Sequence, residues 1–234
     1  MRGIPVPEIL LVEGKKGMRL LLDDGKIEGE ILECGKGQLL VKILRGGILK
    51  PRKSIAVPGK NMDTPTLTVQ DMENLKIARQ YGVTGVMLPF VRSGEDLRCL
   101  RQVLEKNHGE DIKIFAKIEN MQGVEGLESF ISLADEIVIA RGDLGNAMAL
   151  WELPAVQKQI GEKCRRAGQP FMVVTQMLDS MCTRAVPTRA EVSDIYNAVL
   201  DGAASVMLTG ETAAGQYPMQ AMEYLVRTAQ PALA

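Results

Sequence analysis

A lysine and a glutamate two residues apart, Lys117 and Glu119, close the otherwise apolar stretch IKIFAKIENMQG. In an extended chain residues so spaced face the same side. A strand buried on both faces meets water only at its end, and there the pair has two readings. One is an ion pair on the rim with neighbours such as Asp143, since structural ion pairs are common. The other is chemical. Glu119 and Asp143, at the ends of adjacent strands, would share a hard divalent cation with positions left for water and substrate oxygens, as Mg²⁺ is usually held. Lys117 would then be a fixed positive charge suited to a transferring phosphoryl group or an enolate oxygen. Taken alone, the pair supports both readings equally.

The segment ARGDLGNAM places Gly142 and Gly145 around Asp143. Glycines let the backbone approach an anion closely, and a helix beginning just after such a loop offers free N–H groups to a carboxylate or phosphate. A glycine turn that merely ends a buried strand explains the segment as well, because a Gly-rich loop alone is a weak signal. Thr175, in PFMVVTQ, either caps the chain as it leaves its strand or lines a site next to the strand carrying Asp143.

The elements that must position these residues follow from periodicity. Up to Pro58-Gly59 the chain alternates short β-prone runs with Asp-Gly, Gly-x-Gly and Gly-Gly breaks, the pattern of a small antiparallel unit without a long helix. Beyond it, short apolar strands alternate with capped helices. Thr68 starts a helix expected to bury Val69, Met72, Leu75 and Ala78, and GVMLPFV reads as the strand after it. Ser93 and Asp96 start a second helix with Leu97, Leu100 and Leu104 inward. IKIFAKI is a strand, GVEGLESFISLA a helix and EIVIA a strand. A helix from about Leu153 to Ala167 stops at Gly168, and PFMVVTQ follows as a strand. Thr188 and Glu191 form a capping box, ASVMLTG is a strand, and Pro218 opens the last helix.

Five strands in strict β/α alternation predict a parallel sheet with right-handed crossovers. The fold expected is α/β, of the (β/α)₈ TIM-barrel type but incomplete, with about five units. The polar residues gather where strands end: Lys117, Glu119 and Asn120, then Arg141 and Asp143, Thr175 and Gln176, Thr209 and Glu211. Barrel active sites stand on that rim, and no G-x-G-x-x-G turn supports a dinucleotide fold.

Composition narrows the partners. In 234 residues with net charge −1, four Phe, four Tyr and one Trp leave no basic, stacking surface for nucleic acid. Small molecules or protein are the expected partners. Four scattered cysteines without C-x-x-C spacing suggest neither a zinc site nor a disulfide framework, and no segment approaches a membrane span or an export signal. A reduced, cytoplasmic chain is expected.

At these same residues the chain resembles the pyruvate kinase family. AKIENMQG is similar to that family's lysine-isoleucine-glutamate-asparagine segment. ARGDLG, TQMLDSM, PTRAEVSDIYNAVLDGA and MLTGETAAGQYP resemble its other signatures in order and spacing. Residues 1–58, with LLDDGKI and LKPRKSIAVPG, resemble the later part of the family's mobile β lid, and residues 59–234 resemble barrel strands four to eight. The resemblance implies the glycolytic transfer of a phosphoryl group from phosphoenolpyruvate to ADP, giving pyruvate and ATP, with Mg²⁺ and usually K⁺. By matching motif it makes Glu119 and Asp143 metal ligands and gives Lys117 the stabilisation of the phosphoryl group and enolate. Gly142 and Asp143 would hold the substrate carboxylate through backbone N–H groups. Thr175 would line the site near the carbon that accepts a proton, and Lys53 would reach the nucleotide phosphates.

The departures are as specific. No counterpart is present for the family's first three barrel strands, which carry the arginines that clamp the substrate phosphate and the K⁺ ligands. Ala214 and Gln216 stand where the family often has lysine and aspartate, and the regulatory C-terminal domain has no counterpart. Five strands cannot close an eight-stranded barrel, so the expectation is that the missing units come from another chain, that the protein self-associates along the open edges, or that this is a fragment of a longer kinase. Two other readings stay open. One is a non-catalytic relative acting by binding or association. The other is a Mg²⁺-dependent lyase or aldolase working through a pyruvate enolate, against which the lid-like segments argue.

Overall fold

A computed structural model describes residues 3–51, 53–60 and 64–233; Arg52, inside the lid-like PRKS segment, lies outside them. The chain forms two compact units. One is Met1–Pro65 with Gly145–Leu150, the other Thr66–Leu144 with Trp151–Ala234.

In the first unit a short helix, α1 (Glu8–Glu13), precedes β1 (Arg19–Leu22), β2 (Ile27–Gly35), β3 (Gln38–Arg45) and β4 (Ile55–Ala56). They pair antiparallel in the order β3-β2-β1-β4. The period-2 pattern of β2 turns Ile27, Gly29 and Ile31 inward, and Ile31 packs with Leu10, Leu20 and Val57. Asp23, Asp24 and Gly25 make the β1–β2 turn with φ of +50°, +55° and +77°. Aspartate tolerates that region better than most side chains. Ser54 fastens the turn: the Asp24 N–H donates to its Oγ at 2.9 Å, and Oγ donates to Asp24 Oδ1 at 2.8 Å.

From Thr68 the chain alternates helix and strand: α2 (Val69–Ile77), β5 (Gly85–Leu88), α3 (Gly94–Lys106), β6 (Lys113–Ile118), α4 (Met121–Gly126), β7 (Glu136–Ala140) and α5 (Arg141–Ala147). Then come α6 (Leu153–Ala167), β8 (Phe171–Val174), α7 (Arg189–Leu200), β9 (Ser205–Met207), α8 (Gly210–Ala213) and α9 (Pro218–Ala229). The five strands form one all-parallel sheet in the sequential order β5-β6-β7-β8-β9. The order never reverses, as it would in a doubly wound sheet.

The two faces of this sheet differ. Ile114, Ala116, Ile118, Ile137, Ile139, Phe171 and Val173 form one fully buried face. It is the helix side: a Cβ at Gly161 of α6 would meet the Phe171 ring at 3.0 Å. On the other face Val138, Ala140, Met172 and Val174 cluster with Phe115 and Met207. Lys117, paired in register with Val138, lies on this second face at its upper end.

Local signals place the helices. Capping boxes close the N-termini of α2 at Thr68 and Asp71, α3 at Ser93 and Asp96, and α7 at Thr188 and Glu191. Gly168, at φ +67°, ends α6. Leu97, Leu100 and Leu104 of α3 are buried as spaced, each worth about 2 kcal/mol.

Four expectations need correction. Val69 and Met72 are 78% and 45% exposed, and only Leu75 and Ala78 of the expected α2 stripe are buried. The cause is that α2 leads into the sheet's edge strand β5, where among the described residues no further strand pairs. The strand GVMLPFV stops at Leu88, since Phe90 turns to φ +51° and gives its N–H to Glu119. GVEGLESFISLA is not one helix but the end of α4 and two 3₁₀ turns, Leu127–Ser129 and Ile131–Leu133. Its glycines weaken the helix, and Gly123 lets the chain pass so close that a Cβ would stand 2.5 Å from the Val91 carbonyl oxygen. Finally, ARGDLG is not a loop before a helix: Arg141, Gly142 and Asp143 are themselves the first turn of α5.

Acid should destabilise this framework through two carboxylates, buried Asp96 and half-buried Glu191. Burial pushes the Asp96 carboxyl up, but bonds from the Arg92 guanidinium, the Thr66 hydroxyl and the Arg92 N–H hold it below its ordinary value. Glu191 is held low in the same way, by Ser180 and Thr188 against the effect of burial. A folded-state pKa below the unfolded one stabilises fully above the unfolded value and loses that stability as pH falls through the folded one, here below about pH 4. Asp96→Asn is expected to cost about 2 kcal/mol at pH 7. In urea titrations its deficit against wild type should shrink as pH drops from 5 toward 2. A deficit constant with pH would show that the charge is not what matters.

All four cysteines are free, and burial pushes the Cys164 thiol up to about 12. It is an inert core residue.

Candidate active site

The site is built where β6, β7 and β8 end. Register aligns Ile118 with Ile139 and Ala140 with Val174, so Glu119, Arg141 and Thr175 each follow closely on the last paired residues of neighbouring strands. Parallel strands put all these ends on one rim.

Lys117 and Glu119 meet directly, with Nζ 2.7 Å from Oε1. Glu119 is 3% exposed, and its second oxygen accepts the Phe90 N–H at 2.9 Å. The ammonium therefore has a fixed position on the rim, and the carboxylate is fixed by two donors from two strand ends. Asn120 has a structural task instead. It caps α4 by accepting the Gly123 N–H at 2.8 Å and donates to the Val91 carbonyl at 3.3 Å.

Gly142 and Thr175 are also brought together. A Cβ at Gly142 would lie 2.9 Å from Thr175 Cγ2, so the threonine fits only beside glycine. Asp143, half-buried, follows in the same helical turn. Thr175 and Gln176 leave β8 with φ of +79° and +55°, a conformation no glycine in the sequence announced. Glu119 and Asp143 stand at the ends of adjacent strands, and their chemistry, carboxylate oxygens on a polar rim, is that of a hard-cation donor set.

Two groups carry roles that sequence reading missed. Arg141 binds the Thr175 and Gln176 carbonyls and Asp194 of α7. Glu211, 2% exposed, accepts the N–H groups of Leu178 at 3.0 Å and Thr209 at 2.8 Å, joining the segments after β8 and β9. Arg141 has no local signal, because its partners lie tens of residues away in the chain, and Glu211 has one partner two residues away and the other 33 residues away.

Lys53 belongs to the first unit. Its Nζ is 2.8 Å from Asp23 Oδ1. That bond holds the Asp23 carboxyl below its ordinary range and raises the Lys53 ammonium above its own.

The sequence matches the family model "Pyruvate kinase, barrel domain" over residues 6–222. It is 41% identical over 228 residues to a pyruvate kinase of Agrobacterium vitis, covering 97% of this chain and 46% of that protein. It is 39% identical over 209 residues to one of Bacillus licheniformis, covering 88% and 36%. Against one of Lachancea kluyveri it is 43% identical over 216 residues, covering 92% and 43%. The chain thus spans less than half the length of these curated relatives. A match that takes in the β6, β7 and β8 ends together with the antiparallel segment before them leaves one assignment: the chain belongs to the pyruvate kinase family.

Proposed function

We propose that the chain serves a pyruvate kinase reaction, the transfer of a phosphoryl group from phosphoenolpyruvate to ADP to give pyruvate and ATP. The observation that carries this is the 2.7 Å Lys117–Glu119 pair standing on the same rim as Gly142, Asp143 and Thr175, in a chain of that family. Lys117 offers its ammonium to charge developing on the phosphoryl group and on the enolate oxygen. The N–H groups of Gly142 and Asp143 hold the substrate carboxylate. Thr175 stands by the carbon that takes a proton. Lys53, from the lid-like unit, reaches for the nucleotide phosphates.

Glu119 and Asp143 fit Mg²⁺, which takes one or two carboxylates and leaves its other positions to water and phosphate oxygens. Bound there, it supplies Lewis-acid polarisation of those oxygens. The K⁺ expected in the family finds its ligands outside this sequence.

The sequential parallel sheet supports reading residues 59–234 as five units of a (β/α)₈ barrel, with residues 1–58 as a partial lid. The edges at β5 and β9 would then be met by complementary barrel units or by a second copy. Among the described residues no helix is long and apolar enough to cross a membrane, and a cytoplasmic place with small-molecule substrates suits the proposed chemistry.

A coupled assay of ATP formation from phosphoenolpyruvate and ADP by the pure chain with Mg²⁺ tests this. A rate above a folded Lys117→Met control is expected. If the chain matches that control, the non-catalytic reading holds for the chain alone. Exchange of pyruvate methyl protons, which needs the metal and the Thr175 region but not the whole phosphate clamp, would support the kinase site even where phosphoryl transfer is missing.

A further inference from the structure

We propose that Arg141 is a positioning residue of this site: its guanidinium holds Thr175 and Gln176 in a left-handed backbone and so fixes where the Thr175 hydroxyl stands. The chemical consequence rests on the functional reading above, and the structural part on geometry alone.

A β-branched residue at φ +79° is a genuine outlier, and Gln176 follows at +55°. Such residues cost on the order of 1–3 kcal/mol each and persist only where surroundings over-determine them. Arg141 supplies that constraint. Its Nε and Nη2 donate to the Thr175 carbonyl at 3.1 and 2.8 Å, and Nη2 also donates to the Gln176 carbonyl at 3.3 Å. Nη2 lies 2.9 Å from Met177 Sδ, and Nη1 is paired with Asp194 Oδ2 at 2.6 Å.

A planar fork of donors binds two successive carbonyls and a carboxylate at once, which a single ammonium cannot do. The pairing with Asp194 anchors the fork to α7, so the turn is held from outside its own strand. Gly142, the next residue, closes the opposite side, since Thr175 Cγ2 occupies the place a Cβ would take. Thr175 is thereby confined by two consecutive residues of α5: one sets its backbone and the other leaves room for its methyl group. The same arginine thus lies outside the reacting groups and yet sets the orientation of one of them.

Arg141→Lys keeps the charge facing Asp194 and loses the fork. In this variant the backbone chemical shifts and amide–α couplings of Thr175 and Gln176 should leave left-handed values. Exchange of pyruvate methyl protons with D₂O, in Mg²⁺, should slow on the order of 10²-fold at saturating pyruvate with KM little changed, as for a group displaced by about 1 Å. Asp194→Asn leaves the carbonyl bonds in place and should give both effects in smaller degree; it carries the same readouts if Arg141→Lys does not fold. Unchanged shifts at Thr175 and Gln176 overturn the inference, and so does a displaced turn with undiminished exchange. A wild-type chain without exchange counts against the functional reading, and the shifts then decide the positioning of Thr175 by themselves.

Discussion

Lys117→Met is expected to lower the unfolding free energy by about 3 kcal/mol, the low end for removing one partner of a buried ion pair. Glu119 keeps only the Phe90 N–H once the ammonium is gone, and at 3% exposure water replaces little of the loss. The lysine side chain itself is 26% exposed, which places the cost at that low end. Removing both charges should restore most of the stability. In Lys117→Met/Glu119→Gln the amide oxygen can still accept the Phe90 N–H, and no unpaired charge stays buried. Urea unfolding of the two single variants and the double variant measures the coupling. Strictly additive effects would mean that the pair does not interact as the 2.7 Å contact requires. The stability control also matters for activity, because Lys117→Met must be shown folded before a lost rate is ascribed to missing charge.

Thr175→Gly should act in opposite directions on stability and on chemistry. Glycine adopts φ +79° without the Cβ penalty, so the variant gains the strain energy and loses part of it again to the unfolded state's greater freedom. A net gain of about 1 kcal/mol is expected, read as a higher urea midpoint. The same change deletes the hydroxyl that the proposed reaction would use beside the carbon to be protonated, and loss of a positioned proton-transfer group costs on the order of 10²–10⁴-fold in rate. Proton exchange into pyruvate should fall by that range while the protein becomes more stable. A variant less stable than wild type would show that the left-handed turn is not strained, and an undiminished rate would remove Thr175 from the proposed site.

How much of this was legible in the sequence depended on the range of the signal. The capping boxes at Thr68, Ser93 and Thr188, the stop at Gly168 and the proline opening α9 act within one turn, so residue types three or four apart carry them. Strand ends were legible because apolar runs stop where polar residues begin, which put Lys117, Glu119, Arg141, Asp143 and Thr175 on one rim. What failed needed tertiary information. Val69 and Met72 have helical spacing, but an edge strand leaves their side uncovered. The Lys117–Glu119 pair closes on itself rather than reaching Asp143, since the residue after a strand is free to bend back toward its own side. Thr175 and Gln176 take glycine-like backbone with no glycine present, because an arginine far away in the chain enforces it. Glu211, one more polar residue on the rim by sequence, turns inward to satisfy two N–H groups.

The sequential strand order bears on how this sheet assembles. Among the described residues no pairing in this sheet skips a unit, so strand pairs with strand only in sequence order, as in a linear array with nearest-neighbour coupling. Every contact between strands then closes a loop no longer than one crossover, and a strand leaving the ribosome finds its partner already made. The cost of loop closure is met in small, similar instalments rather than in one long-range step. β7, at the centre of the five strands, lies farthest from both ends of the array, and β5 and β9, each paired on one side, are where its order is shared least.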